Sequence, residues 1–250
     1  MNIKKLATTC LMLCVAASAL AQDDRFASVT IETVPVTGNI SMLIGSGGNI
    51  GVSTGSDGLL IIDDQYGPLA AKIRAALSQL RSDTPKFLLN THFHGDHTGG
   101  NADFGTASII IAHENVRGRL VAGDSPGSAL PVITFDDDVT VHFNGENITL
   151  IHMPRGHTDT DSVVMFEDSN VIHMGDHFFN GGFPFVDLAS GGTVQGYISN
   201  LEKALSWIDD DTSVIPGHGP LGTKADLLAF YNVVKDTSTT IRVMKSQQMS

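Results

Sequence analysis

Three histidines and an aspartate lie close together in one short stretch, THFHGDH, at residues 91–97. The whole chain of 250 residues has 10 histidines, so this density marks a candidate site. On a helix, residues two apart point to different sides, and His92, His94 and Asp96 could not converge. Alternate residues of an extended backbone can face the same way. Because the stretch follows the apolar run FLLN and contains glycine, it predicts a loop at the end of a buried strand.

Three later positions share one local pattern, an apolar run that ends in a small or proline-containing turn and then a residue able to bind metal. ITLIHMPRGH ends in His157, NVIHMGD ends in Asp176, and SVIPGHG carries His218. Neighbouring strand ends could bring these side chains to one rim. With the first cluster, the candidate donors are His92, His94, Asp96, His97, His157, Asp176 and His218. Five imidazoles and two carboxylates suit two metal ions that share one carboxylate, and the nitrogen-rich set favours Zn²⁺.

The pattern HxHxDH followed by separate His, Asp and His residues resembles the signature of the metallo-β-lactamase superfamily of hydrolases, from about Thr30 to the tail. The resemblance implies an α/β fold, an αββα sandwich with a dimetal site at the edge between its two sheets. It implies two Zn²⁺ ions, with iron or manganese as alternatives. In this resemblance the first metal would be bound by His92, His94 and His157. The second would be bound by Asp96, His97 and His218, and Asp176 would bridge the two metals.

The resemblance also implies how the site would act. Metal coordination can lower the pKa of a bound water to about 7, and a hydroxide held between two metals would attack a substrate carbonyl. Asp176 and Asp96 are the predicted catalytic groups, because they would orient that hydroxide. The mechanism requires no Ser or Cys nucleophile. This agrees with the cysteine content, since Cys10 and Cys14 both lie in the predicted export signal.

The ligand set leaves the substrate open. The first expectation is β-lactamase-like hydrolysis of a cyclic amide, because export would bring the protein to the compartment where β-lactams act. The alternatives are hydrolysis of a lactone, a thioester or another ester. The familiar zinc β-lactamases use a Cys on the second metal, whereas His97 makes this ligand set similar to that of glyoxalase II and the lactonases. The short stretch after His218 argues against glyoxalase II.

Two other classes of function remain as alternatives. One is an iron-dependent redox or persulfide-oxidising protein on the same fold. The other is a metal-binding module without catalysis. Metal content discriminates the first of these, since about one equivalent of iron indicates redox chemistry and about two of zinc indicate hydrolysis.

An aromatic stretch after Asp176, HFFNGGFPF, predicts a loop that lines an apolar substrate pocket. Phe178, Phe179 and Phe183 are its predicted pocket residues. Lys224 is a candidate for meeting a substrate carboxylate. Core packing is the competing interpretation for the phenylalanines, and a position on a helix surface is the competing one for the lysine.

Several other residues that could do chemistry have simpler interpretations. The glycine-rich GSGGNIG from Gly45 is read as a hairpin turn or as a flap over the metals. His113 begins HENVR, which lacks the second histidine of a metalloprotease motif and indicates an ordinary helix start. We expect His177 to support the site from behind. The histidines expected to be ordinary strand residues are His142, His152 and His173.

Residues 1–21 are predicted to be an export signal. Two lysines precede the apolar run of residues 6–17, and Ala-Leu-Ala at residues 19–21 is a small-x-small cleavage site. That run is too short to span a bilayer, and no later segment approaches the roughly 20 apolar residues of a membrane helix. We therefore expect an exported protein, located in a bacterial periplasm, without a membrane anchor.

The remaining chain, residues 22–250, is expected to form a single catalytic domain, because it contains no repeat and no long linker. The formal net charge is −12. This argues against a nucleic-acid partner, which would require a clustered basic face. The expected partner is a small-molecule substrate with a hydrolysable carbonyl.

Strands and helices alternate along the chain, as a layered fold of two sheets and several helices requires. Helices are predicted from Pro68, His113, Val194 and Lys224. Strands are predicted at ASVTIETVPV, ISMLIG, NIGVST, LLIID, KFLLNT, SIIIAH, VTVHF, NITLIHM, SVVMF, NVIHMG and TSVIPG.

Overall fold

The computed structural model describes residues 25–82 and 84–247. The predicted export signal, residues 1–21, lies outside the described residues. Of the described residues, 25–30 belong to a separate small unit. Within it, residues 25–28 make a turn, and the Val29 amide donates to the Phe26 carbonyl at 3.2 Å. Every helix and strand named below belongs to the second unit, Ile31–Ser250.

The first sheet has seven strands in chain order from one edge to the other: β1 (Glu32–Thr37), β2 (Ile40–Ile44), β3 (Ile50–Gly55), β4 (Gly58–Ile62), β5 (Pro85–Leu89), β6 (Ile109–His113) and β7 (Ile133–Phe135). Neighbours from β1 to β4 pair antiparallel. From β4 to β7 they pair parallel. The carboxyl ends of β4 and β5 therefore meet at the same edge, and the residues that follow them become neighbours.

The second sheet has six strands, which are β8 (Asp138–Phe143), β9 (Glu146–His152), β10 (Ser162–Phe166), β11 (Val171–His173), β12 (Ser213–Ile215) and β13 (Gly222–Thr223). Their order is β13-β12-β11-β10-β9-β8. Strands β11 and β12 pair parallel, and the other neighbours pair antiparallel. A parallel pair needs a long crossover, and residues 174–212 provide it.

The main core lies between the two sheets. Leu60 and Ile62 of β4 join one buried cluster with Leu150 of β9 and Val164 of β10. Because successive strand residues point to opposite faces, the other β4 residues turn away from this core, and they too are fully buried. Both faces of β4 are therefore covered, which explains its unbroken apolar sequence, GLLII.

Within the described residues, six α-helices accompany the sheets: α1 (Ala70–Leu80), α2 (Gly95–Thr98), α3 (Asn101–Phe104), α4 (Glu114–Ala122), α5 (Val194–Trp207) and α6 (Lys224–Ser246). Helices α5 and α6 cover the outer face of the second sheet through a cluster that includes Tyr197, Leu201 and Phe230. Threonine caps begin both of these helices. The Thr193 side chain accepts from the Gly196 amide, and the cap of α6 is a complete capping box.

The observed fold confirms the predicted layered α/β architecture, with two mixed sheets and flanking helices. All four predicted helices are present, and α1 is preceded by a 3₁₀ turn at Gly67–Leu69. Strands β7 and β13 were not predicted, because they are three and two residues long and show no readable alternation. No helix in the described part of the chain has the length and apolar character that a membrane span requires.

Candidate metal centre

Three histidines form the first donor group. The Nδ1 atom of His94 lies 3.2 Å from His92 Nε2 and 2.9 Å from His157 Nε2. These nitrogens and an oxygen of Asp176 all lie within 4.8 Å of one another, which is a spacing suited to one metal ion. His92 and His157 are buried, whereas His94 is about one-fifth exposed, so the group is open to solvent on one side.

The second donor group consists of Asp96, His97 and His218. The Asp96 Oδ2 atom lies 3.3 Å from His218 Nε2 and 3.7 Å from His97 Nε2. His97 is fully buried, whereas Asp96 and His218 are partly exposed. The second group therefore has one deep ligand and two that reach solvent, whereas the first has two deep histidines and one that reaches solvent.

The carboxylate of Asp176 lies between the two groups. Its Oδ2 is 3.4 Å from His157 Nε2 and 3.9 Å from His92 Nε2. Its Oδ1 is 3.0 Å from His97 Nε2 and 3.3 Å from His218 Nε2. One oxygen thus faces each group, as a carboxylate that bridges two metals requires.

Four separate strand ends place these ligands. The HxHxDH motif follows β5 in the first sheet, whereas His157 follows β9, Asp176 follows β11 and His218 follows β12 in the second. Because β11 and β12 are parallel neighbours, their following residues lie side by side. The site therefore sits at the edge between the two sheets.

The motif itself is only partly a loop. His94 has extended backbone angles and begins the single helical turn of α2, which carries Asp96 and His97. The prediction that the whole motif is a loop is therefore wrong for residues 95–98. The change from extended to helical backbone explains why the first two ligands of the motif serve one group and the last two serve the other.

A buried carboxylate, Asp63, orients two of the imidazoles. Its Oδ2 accepts from His97 Nδ1 at 2.7 Å and from the Thr91 hydroxyl at 2.7 Å, while its Oδ1 accepts from the Thr91 amide at 2.8 Å. The Thr91 oxygen is then free to accept from His92 Nδ1 at 3.1 Å. Both rings are thus held in the tautomer that turns a lone pair toward the centre.

Two further contacts orient the remaining histidines of the first group. The Nδ1 of His157 donates to the carbonyl of Phe185 at 2.8 Å, and the Nε2 of His94 donates to Asp187 Oδ2 at 3.1 Å. From behind the site, the Tyr197 hydroxyl donates to the backbone oxygen of Asp176 at 2.7 Å. These supporting residues, Asp63, Thr91, Asp187 and Tyr197, were not predicted from the sequence. Only Asp63 left a sequence signal, as an acid directly after the apolar strand GLLII.

The charges of the site depend strongly on one another. Burial would raise the pKa of Asp176, but the imidazoles of His97, His218 and His92 hold it well below its usual value. Burial would lower the pKa of His218, but the carboxylates of Asp176 and Asp96 raise it to about 9. Burial lowers the pKa of His92 well below its usual value, and the charge of His97 lowers it further. His92 is therefore neutral at pH 7, whereas His218 is protonated when it faces the carboxylates alone.

Two buried polar atoms indicate that metal ions fit this site. His97 Nε2 and Asp176 Oδ1 are buried and lack a well-formed hydrogen bond. Buried polar atoms are normally satisfied, so these two are better explained as metal ligands than as an internal ion pair. The structure brings all seven predicted ligands together, and their imidazole and carboxylate chemistry fits a pair of divalent metal ions. The assignment of each ligand to a metal stays a prediction.

A cleft of about 510 Å³ opens over the two groups. Its lining includes the predicted pocket residue Phe179 and also Phe185 and Tyr66. Phe179 stacks on His218 with 5.1 Å between ring centroids, and Phe185 lies 5.6 Å from the His157 ring. Aromatic side chains therefore form the apolar part of the rim.

Three predicted pocket residues lie elsewhere. Phe178 is fully buried in the core below α6, because the backbone is extended there and its side chain points opposite to that of Phe179. Phe183 is 85% exposed and lines other clefts, against α6. Lys224 begins α6, and its Nζ donates to the Ile208 carbonyl at 2.7 Å. None of these three lines the cleft over the donor groups.

The other histidines behave as expected from the simpler interpretations. His113 caps α4, accepting from the Asn115 amide. His177 is buried behind the site, with its Nε2 3.0 Å from Asn200 Nδ2. Burial lowers its pKa to about 3. His142, His152 and His173 lie within strands, and His113 is also the last residue of β6.

The glycine-rich segment is the turn that joins β2 and β3, which confirms the hairpin interpretation. A Cβ built on Gly48 would lie 2.1 Å from the His97 ring, so only glycine fits there. The Gly48 amide also donates to the Asp96 carbonyl at 3.0 Å, and Asn49 Nδ2 donates to the carbonyls of Pro216 and Gly219. The turn thus holds residues of the second donor group from two sides.

The chain is similar in sequence to known proteins of one family. The family model described as the Metallo-beta-lactamase superfamily matches residues 39–218. A hydroxyacylglutathione hydrolase of Polaromonas sp. is 33% identical over 135 residues, which is 52% of this chain and 47% of that protein. An atrochrysone carboxyl ACP thioesterase of Emericella nidulans is 31% identical over 136 residues, or 54% and 41% of the two chains. The chain therefore spans about half the length of these curated relatives.

A solved structure shares the fold. The metallo-beta-lactamase from Pontibacter korlensis superimposes with a TM-score of 0.72 at 15% identity, covering 82% of this chain and 99% of that one. At this level of identity the likeness establishes the architecture alone.

The role of Asp63 can be tested through metal affinity. We expect Asp63→Ala to weaken metal binding by about 10- to 100-fold, as loss of an outer ligand partner typically does, because His97 and Thr91 lose their acceptor. Competition with a coloured chelator measures the affinity. Asp210→Ala is the control, since the Asp210 side chain is fully exposed. Unchanged affinity in Asp63→Ala would contradict the role.

Metal binding should also release protons at neutral pH. His218, with its pKa near 9, must lose a proton before it can bind metal. The metal affinity of the second group should therefore rise with pH by about tenfold per pH unit for each proton released. It should level off above about pH 9. Calorimetric Zn²⁺ titration in two buffers of different ionisation enthalpy counts the protons. His218→Ala should release fewer, and zero release by the wild type at pH 7 would contradict the expectation.

Proposed function

The chain belongs to the metallo-beta-lactamase superfamily, and we propose that it is a dinuclear metal-dependent hydrolase of carboxylic thioesters, esters or lactones. The observation that carries this proposal is the placement of Asp176, with one oxygen facing each of two metal-binding groups. The matched family region, residues 39–218, contains all seven donors. The metal we propose is zinc, because imidazole predominates among the ligands.

The choice of an acyl carbonyl as the reacting group has two supports. The curated relatives include a hydroxyacylglutathione hydrolase and a carboxyl ACP thioesterase, whose names state hydrolysis of an acyl-glutathione and of a thioester. The leaving group supports the same choice. A thiol has a pKa near 8.5 and departs as a thiolate with little assistance, whereas an amide nitrogen must be protonated as it leaves.

The residues of the site have two roles, metal binding and proton transfer. His92, His94 and His157 would hold the first metal, and Asp96, His97 and His218 the second. Two zinc ions, when bound, supply a water acidic enough to act as a nucleophile at neutral pH and polarise the substrate carbonyl. The remaining steps belong to the chain itself.

Asp176 and Asp96 have different places in this scheme. The carboxylate of Asp176 is 95% buried, and its position is fixed from behind by Tyr197. Asp96 is about a quarter exposed and lines the cleft. Asp96 is therefore placed to accept the proton of the nucleophile through its side chain and to pass it to a leaving group. His94 and His218 line the same cleft, so a substrate carbonyl that enters meets both metal groups.

A β-lactam is the second candidate substrate. The same attack on a carbonyl would open its ring, and Asp96, which is accessible from the cleft, could return a proton to the departing nitrogen. The iron-dependent redox protein and the metal-binding module without catalysis stay as outcomes of the test below.

The test is metal-dependent turnover by the zinc-loaded protein. The panel holds a thioester, an aryl ester, a lactone and a chromogenic cephalosporin, and bound metal is counted by mass spectrometry. We expect about two zinc ions and hydrolysis of thioester or ester. His94→Ala should lower turnover by at least about 100-fold, because it removes a ligand and not only an outer partner. His142→Ala is the matched control, since this exposed histidine lies in β8, outside the two donor groups, with its Nδ1 2.8 Å from Asn147 Oδ1.

Each other result has a defined meaning. Turnover of the cephalosporin alone would favour the second candidate. One bound iron ion together with redox activity would contradict the hydrolase and favour the redox protein. Two bound zinc ions with zero turnover across the panel would contradict the proposed hydrolase.

We also propose that the protein is exported to a bacterial periplasm. The support is the order of two lysines, an apolar run and Ala-Leu-Ala within residues 1–21. Expression of the full chain in a Gram-negative host, followed by N-terminal sequencing of the periplasmic fraction, should read from Gln22. A full-length chain retained in the cytoplasm would contradict export.

A further inference from the structure

One segment builds the wall of the cleft and also supports the first donor group. We call residues 178–190 the rim segment; it runs from the end of the 3₁₀ turn Gly175–His177 through the turn Leu188–Ser190. The Phe185 carbonyl accepts from His157, and Asp187 accepts from His94. At its start, the Asn180 amide donates to the His218 carbonyl at 2.8 Å. The rim segment is thus tied to both donor groups and holds its side chains at fixed places over them.

The rim segment presents apolar rings to the cleft. The Phe179 ring stacks on His218 at an interplanar angle of 9° and also lies 6.3 Å from the His157 ring. The Phe185 ring lies 6.2 Å from the ring of His94 and is 56% exposed. A substrate whose carbonyl lies over the two donor groups can therefore pack against Phe185, and contact with an apolar group would remove this ring from water.

The same cleft offers a negatively charged substrate little to pair with. Among the described residues that line it there is neither lysine nor arginine, whereas Asp96 and Asp176 contribute carboxylates. Two of the basic side chains have partners outside the cleft. Lys224 donates to the Ile208 carbonyl, and Arg119 binds both oxygens of Asp159 at 2.7 and 2.8 Å. A substrate carboxylate beside Phe185 would lose hydration without gaining a lysine or arginine partner from the cleft lining.

We infer that the site selects uncharged substrates with an apolar group beside the scissile bond and disfavours substrates that carry a carboxylate there. The inference deepens the proposed hydrolase function and rests on it. It places neutral esters, thioesters and lactones above β-lactams and glutathione thioesters, since both of the latter carry carboxylates.

A pair of thioesters that differ in one charge tests the selection. Methyl S-acetyl-4-mercaptobenzoate and S-acetyl-4-mercaptobenzoate share an acyl group and a thiol leaving group, but the second carries a carboxylate. After correction for hydroxide-catalysed hydrolysis, we expect kcat/KM of the zinc-loaded protein to favour the methyl ester by at least about tenfold. Equal values, or a preference for the acid, would overturn the inference.

Variants at the rim segment locate the cause. Phe185→Ala should lower kcat/KM for the methyl ester by about tenfold, mainly through KM, because the apolar contact is lost while the Phe185 backbone carbonyl remains. Phe185→Arg should raise kcat/KM for the acid relative to the ester by about tenfold. Phe183→Ala is the matched control, because this phenylalanine lies in the same segment but is exposed outside the cleft. Zinc content is measured for every variant, so that metal loss is recognised.

A binding measurement separates failure of the inference from failure of the proposed function. Methyl 4-(trifluoroacetyl)benzoate and 4-(trifluoroacetyl)benzoate are ketones whose trifluoroacetyl carbonyl has no ester or thioester leaving group. Calorimetry compares their affinities, and mass spectrometry verifies that the methyl ester is intact after the titration. Tighter binding of the neutral ketone without turnover of either thioester would contradict the hydrolase and keep the inference. Turnover of both thioesters at equal rates, with equal ketone affinities, would contradict the inference and keep the hydrolase.

Discussion

The carboxylate of Asp176 is the constraint on which the site depends. A carboxylate this deeply buried is costly unless it is paired, and here four imidazoles lie around it: His92 and His157 on one side and His97 and His218 on the other. His97 and His218, whose pKa values the carboxylates raise, supply the positive charge when metal is absent. Close approach of the backbone is part of the arrangement. A Cβ at Gly217 would lie 2.3 Å from Asp176 Oδ1, so the strand-end turn before His218 has room only for glycine.

Neither sheet carries the site alone. The first sheet supplies the HxHxDH motif and Asp63, and the second supplies His157, Asp176 and His218. Metal ions bound between them would therefore bind the assembled sandwich and not its separate halves, and binding to the native state alone stabilises it. Folding and metal binding are thus expected to be linked, with the apolar layer between the sheets providing the alignment that the ligands need.

The donors and most of the strands could be predicted from the sequence because each leaves a local signal. The motif residues are adjacent, and apolar runs precede His157, Asp176 and His218. The outer partners leave little local signal, because Asp63 meets His97 across 34 residues and Asp187 meets His94 across 93. The prediction of the pocket residues was partly wrong for a different reason. Phe178 and Phe179 are adjacent and chemically identical, and only the strand-like backbone decides which one faces the core.

The parallel pairing of β11 with β12 has an evolutionary consequence. The crossover between them, residues 174–212, enters and leaves the sheet at fixed points, so its interior can change while the strand register that positions Asp176 and His218 stays the same. Substrate range can therefore diversify by exchange of side chains in this connection. The changes that this connection can accept are limited, because the backbone at Phe185 and the side chain of Asp187 also hydrogen-bond to ligands of the first donor group. Related chains that differ in substrate are thus expected to vary most in the side chain at position 185 and least in the acid at position 187.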